Sequence, residues 1–101
     1  MSVLVTIRFS VSDVARAIEG LRGNANFLEE ITESTKGQGM LHHRFVAGER
    51  ELMVVDEWDT AEQFQSFFEG NTQVEHVMAS IGVTGPPEVS VFEAFDAPGT
   101  T

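Results

Sequence analysis

The sequence contains no cysteine. Disulfide frameworks, thiolate catalysis and iron–sulfur sites are thereby excluded. Lysine occurs once, and 6 basic residues stand against 16 acidic ones, for a net charge of −10. A nucleic-acid partner needs clustered Lys and Arg to meet its phosphates, so none is expected. The same charge repels anionic membranes and acidic ligands at long range, and it keeps a small protein soluble. Long hydrophobic runs are also missing. The amino-terminal VLVTIRF is apolar but short and lacks a basic flank, so it reads as a strand rather than a signal peptide or membrane span. A cytoplasmic location is the expectation. No internal repeat, phosphate-cradling glycine loop or nucleophile elbow is present.

What is present is one domain's worth of chain: 101 residues, 42% hydrophobic and 9% aromatic. A chain of this size buries roughly 60–70% of its unfolded surface, which allows a modest core. We read residues 1–96 as a single domain and 97–101 as a loose carboxy-terminal tail.

Val3 to Phe9 alternates in the strand period, with Val3, Val5, Ile7 and Phe9 on one side. Ser12 or Asp13 can cap a helix that carries Val14, Ala17, Ile18, Leu21, Ala25, Leu28 and Ile31, with a kink or break near Gly23. Lys36-Gly37-Gln38-Gly39 ends it. Met40–Val46 and Glu51–Trp58 read as a hairpin turning around Gly48-Glu49. Thr60 and Gln63 form a capping box for a second helix. That helix carries Phe64, Phe67 and Phe68, pauses at Gly70-Asn71, and resumes with Val74, Val77, Met78 and Ile81. Pro86 and Pro87 bar helix, and Glu88–Phe95 is the last strand.

The order is β-α-β-β-α-β, an α+β ferredoxin-like plan with two helices on one face of a four-stranded antiparallel sheet. A turn centred between Gly48 and Glu49 pairs Phe45 with Leu52, His43 with Val54 and Leu41 with Asp56. Leu41, His43, Phe45, Leu52, Val54 and Trp58 then share one face. Met40, His42, Arg44, Val46, Met53, Val55 and Glu57 share the other. Both sets carry apolar residues, so a homodimer packed sheet to sheet is expected, with Arg8, Arg44 and Glu57 in ion pairs across its seam.

The element order, the length, and the run Glu57-Trp58 followed by Ala61-Glu62-Gln63-Phe64 resemble the antibiotic biosynthesis monooxygenase family of dimeric α+β barrels. The likeness spans about Val3 to Phe95. It implies a dimer whose sheets join into a barrel, and a pocket between helices and sheet in each subunit. Some members of that family oxygenate phenolic polyketides or quinols with O2 and no metal or flavin; others bind and degrade heme. The polyketide-oxygenating members resemble this chain at Trp58 and at Gly85-Pro86-Pro87. They carry a tyrosine where Phe64 stands, an asparagine where Val54 stands, and an arginine that the second helix here lacks. Of the positions used by heme-degrading members, the first-strand Asn falls near Thr6 or Ile7, the helix Trp falls at Phe67, and the His matches His76.

The chemistry-bearing candidates are therefore His76, His43 and Trp58. Trp58 either closes the sheet end beneath the second helix or lines the pocket and orients an aromatic ligand. Phe45, Phe64, Phe67 and Phe68 form the expected apolar walls, and a helical phenylalanine stripe is otherwise simply core. His76 sits on the helix flank, as a surface residue or as a base or iron ligand. An imidazole can take a phenolic proton near pH 7. His42 and His43 point to opposite faces, so adjacent histidines cannot chelate one metal together, and no metal site is expected. Asp56 either orients His43, making a tuned base, or sits at the sheet rim in water. Three functions remain open: a cofactor-independent monooxygenase acting on a small aromatic or quinol-type molecule, a dimeric protein that binds an apolar ligand without turning it over, and a heme-binding relative.

Overall fold

A computed structural model describes residues 2–70 and 72–99. Asn71 of the expected helix pause, and Thr100 and Thr101 of the expected tail, lie outside the described residues. Among the described residues the elements follow in the order β1 (Val3–Ser10), α1 (Val14–Gly23), α2 (Ala25–Thr35), β2 (Met40–Ala47), β3 (Glu51–Trp58), α3 (Ala61–Gly70), α4 (Thr72–Ser80) and β4 (Glu88–Glu93). The strands form one antiparallel sheet ordered β2-β3-β1-β4. This is the α+β ferredoxin-like plan, with the first expected helix divided into two at Asn24.

Local chemistry accounts for the division. The Asp13 side chain caps α1 by accepting from the Arg16 backbone N–H at 3.1 Å, which satisfies one otherwise orphaned donor. At the far end of α1, the Asn24 amide donates to the Gly20 carbonyl at 2.7 Å and to Ser80 Oγ at 2.8 Å. Asn24 thus ends α1 and ties the joint to the end of α4. Gly20 permits this approach, since a Cβ there would lie 3.2 Å from the Ser80 carbonyl oxygen.

The capping box before α3 forms as the sequence predicts. Thr60 N–H donates to Gln63 Oε1 at 3.1 Å, and Gln63 N–H donates to Thr60 Oγ1 at 3.2 Å. The Gly39 carbonyl accepts from Asp59 N–H at 2.8 Å. Gly39 has φ +107°, and a Cβ there would fall on the Gln63 amide. Only glycine meets both demands, and the corner they make seats the end of β3 against the start of β2.

The inner layer buries Val5, Ile7 and Phe9 of β1, Leu52 and Trp58 of β3, Ala17 of α1, Phe64 of α3, and Ile81. Each such large apolar side chain contributes roughly 1.5–3 kcal/mol. On the outer face no helix lies over the sheet, and Leu4, Val46 and Phe92 are exposed, Phe92 by 54%. Leu4 and Phe92 are ladder partners, as are Val46 and Met53. Arg8 on this face bonds its own chain's Glu51 at 2.8 Å and approaches Glu88 at 3.8 Å.

Two features of the hairpin differ from expectation. Its register is Phe45↔Val54 and His43↔Asp56, two residues along from the predicted pairing. The turn is centred on Glu49-Arg50 and closed by Gly48 N–H donating to the Glu51 carbonyl at 2.9 Å. A shift of two preserves sidedness, so His43 and Phe45 still face the helices, but His43 now stands opposite Asp56. Second, the ladder shifts between Met40 and His42. Leu41 is the extra residue, unpaired in the ladder and exposed. A bulge reverses the facing of the residue beyond it. Met40 pairs with Trp58 and packs against the core, where the sequence reading had placed Leu41. The last strand also stops at Glu93, short of Phe95, which is 72% exposed.

Candidate functional site

Between the sheet and the helices lies an apolar cavity of about 80 Å³. That is several times the roughly 10–15 Å³ that one water requires. Its floor is Ile7 and Phe9 of β1 with Leu52, Val54 and Asp56 of β3, alternate residues of two strands that face the same way. Met40, His43 and Phe45 of β2 form one side. Leu28, Ile31, Thr32 and Thr35 of α2 form another, at the i, i+3, i+4, i+7 spacing that places them on one helical stripe. Phe67 and Phe68 of α3, and Val74, Val77 and Met78 of α4, complete the roof. The bulge at Leu41 is what brings Met40 into this wall.

A wider groove runs outside, between α2 and β2. It shares Leu28, Thr32, His43 and Phe45 with the cavity, so these four residues form the mouth. The groove's outer rim carries Asn26, Glu29, Glu30 and Glu33, which gives the approach a negative potential.

Four polar side chains line the cavity among the described residues: Thr32, Thr35, His43 and Asp56. The threonines are occupied within α2 and its end, Thr32 donating to the Leu28 carbonyl at 2.9 Å and Thr35 to the Thr32 carbonyl at 2.6 Å. Asp56 is 5% exposed. Its Oδ2 accepts from Trp58 Nε1 at 3.2 Å. Its Oδ1 has no hydrogen-bond partner among the described residues. His43 Nδ1 lies 4.0 Å from that oxygen, too far for a direct bond. Burial pushes the Asp56 carboxyl above its ordinary value, against opposing pulls from the Trp58 indole and from His43. A carboxyl held in apolar surroundings keeps its proton to higher pH, which is how such a group comes to act near neutrality.

The sequence candidates fall into three groups. His43, Phe45, Phe67 and Phe68 line the cavity. Trp58, wholly buried, and Phe64 stand behind the wall and do not line it. Trp58 packs against Phe64 and Phe67 with ring centroids 5.9 and 5.4 Å apart. It touches the lining through its bond to Asp56 and its packing on Phe67. His76 lies outside the lining, exposed, with its ring 4.5 Å from that of Phe27. His76 therefore does not line this cavity, and α3 and α4 carry no other histidine. Among the described residues no group of three His, Cys, Asp or Glu side chains could hold a metal ion, and no helix is long and apolar enough to cross a membrane. The sequence reading gave the walls to phenylalanine, whereas most of the lining is aliphatic. The stripe Leu28, Ile31, Thr32 and Thr35 carried a visible helical signal for it.

No protein-family model and no curated protein matches the sequence. Solved structures match its shape. A monooxygenase from the gene ActVA-Orf6 of Streptomyces coelicolor, in complex with nanaomycin D, superposes with TM-score 0.74 at 16% identity, over 99% of this chain and 93% of that one. SnoaB, a cofactor-independent oxygenase from Streptomyces nogalater, gives TM-score 0.64 at 16% identity over 98% of both chains. A dimeric ferredoxin-like protein from an uncultured marine organism gives TM-score 0.71 at 14% identity, over 99% of this chain and 93% of that one. The chain has the fold of the antibiotic biosynthesis monooxygenases.

Proposed function

We propose that this protein is a small monooxygenase-like enzyme that takes an aromatic or quinol-type molecule into the cavity and oxygenates it with O2, without a cofactor. The observation that carries the reading is the cavity itself: an apolar space, open at one mouth, whose two ionisable groups, His43 and Asp56, face each other across 4.0 Å. Support comes from the fold shared with a monooxygenase that binds nanaomycin D and with a cofactor-independent oxygenase. His43 removes the acidic proton of the bound molecule, and Asp56 across the gap stabilises the imidazolium that forms. The apolar walls desolvate the resulting anion and hold it for attack on O2. For an anthrone-type substrate the ring CH2 becomes C=O. One oxygen atom enters the product, the other leaves as water with the two displaced hydrogens, and the substrate supplies all the electrons.

The reading extends to a homodimer formed through the outer sheet face, supported by exposed Leu4, Val46 and Phe92 there and by the dimeric state of one protein of this fold. The aliphatic character of the lining favours a second reading, a carrier of an apolar ligand with no turnover.

Oxygen uptake with a panel of anthrones and hydroquinones tests the first reading, with 18O2 label followed into the product. Uptake above the autoxidation blank should fall at least tenfold in His43→Ala and stay unchanged in His76→Ala. Binding of a panel compound without uptake would select the carrier instead.

A further inference from the structure

We propose that His43 and Asp56 together form a receptor for a single hydroxyl group, so that the cavity selects an apolar ring compound bearing one O–H at its buried end. The inference deepens the functional reading above and rests on its placement of a ligand in this cavity. Three observations lead to it. Asp56 lines the cavity, and its Oδ1 is buried with no partner among the described residues, an arrangement that costs free energy unless something else meets that oxygen. His43 Nδ1 is 4.0 Å from it, which is too long for a bond between them but suits one oxygen atom about 2.8 Å from each. The other polar side chains of the lining, Thr32 and Thr35, already donate to backbone carbonyls, so neither has a proton to offer a ligand that can only accept.

A hydroxyl fits this gap because it both donates and accepts. With one proton shared by the two side chains, the ligand O–H donates to whichever lacks it and accepts from the other. The raised Asp56 carboxyl is compatible with either arrangement. A methyl ether or a ketone can only accept, and would leave either Asp56 or His43 unmet. A site built to bond a hydroxyl rejects the analogue lacking it far more strongly than apolar walls reject a changed carbon skeleton.

The chain carries its own reporter. Trp58 is the only tryptophan, so its indole N–H gives one peak in a 15N–1H spectrum, and that N–H donates to the other oxygen of Asp56. We would titrate the whole protein with 4-ethylphenol and with 4-ethylanisole while following this peak. The phenol should bind at least tenfold tighter than its ether and move the indole signal. In Asp56→Asn the amide can keep the Trp58 bond while turning its NH2 to the gap. That group donates equally to either oxygen, but neutral His43 still accepts from the phenol alone, so part of the preference should survive. The double variant, Asp56→Asn with His43→Leu, removes both acceptors for the hydroxyl proton, and there the preference should fall close to one. Equal binding of phenol and ether by the native protein overturns the inference, as does a preference retained in the double variant or no binding of either compound. A clear preference with no oxygen uptake would uphold the receptor and remove the oxygenase reading alone.

Discussion

Asp56 is a carboxyl placed where its strand otherwise supplies Leu52, Val54 and Trp58 to the inner layer, and its position has a stability consequence. Its folded-state pKa is raised, with burial the largest cause. The native protein therefore binds that proton more tightly than the unfolded chain. The contribution is fully present below the unfolded carboxylate value, about 3.9, and is lost as pH rises through the raised folded value. Asp56→Asn removes the ionisation and can keep the indole bond. It should melt a few degrees higher than the native protein at pH 7, given that about 1 kcal/mol shifts a domain of this size by roughly 4–8 °C. The advantage should vanish near pH 3, where both forms are neutral, and calorimetry at the two pH values reads it directly. A more stable but less active variant is the usual signature of a group retained for function. Trp58 shows how far residue identity alone can mislead. A lone tryptophan at a strand end signals burial and aromatic chemistry equally, and the choice depended on which way the wall behind it faced.

At the level of elements, the corner from Trp58 to Gln63 fastens α3 to the sheet. Thr60→Ala removes the side-chain half of the capping box and should cost about 1 kcal/mol, visible as a lower urea midpoint with an unchanged slope. The sequence disclosed this corner because a capping box is a contact between neighbours in the chain. It disclosed the strands and the helix stripes through periodicity, and the break near Gly23 through helix-averse residues. Register was less legible. Gly48 attracts a turn centre, yet it is not among the glycines with positive φ, and the turn closes one residue later on Glu49-Arg50. The bulge was hidden because Met40 and Leu41 are both apolar, so exchanging their sides leaves the hydrophobic pattern unchanged. These two non-local details set His43 opposite Asp56 and turned Met40 into the cavity. The polar pair was thus visible as residue types, while their juxtaposition was decided by pairing that no short window contains.

On the scale of the whole molecule, one sheet face is covered by helices except along β4, where Val89 and Val91 are exposed, and the other carries exposed Leu4, Val46 and Phe92. If two copies meet through that face, each brings a net charge of −10, and 2 × (−10) gives −20 for the pair. Like charges at this density repel across a Debye length of about 10 Å at 0.1 M salt. Sedimentation equilibrium should therefore show a species of twice the chain mass whose dissociation weakens as salt rises. Phe92→Glu should shift it to monomer while leaving the helix-side cavity intact; a monomer in the native protein at every salt concentration would reject the dimer. The hairpin offers a different lesson when the two faces are considered together. Its strands behave like the two scales of a vernier: sliding one past the other by two residues keeps every side chain in its own layer yet changes which neighbours are aligned. Turn length is then a dial on the chemistry inside the cavity, able to bring an imidazole level with a carboxyl, or with a valine, without changing a single core residue.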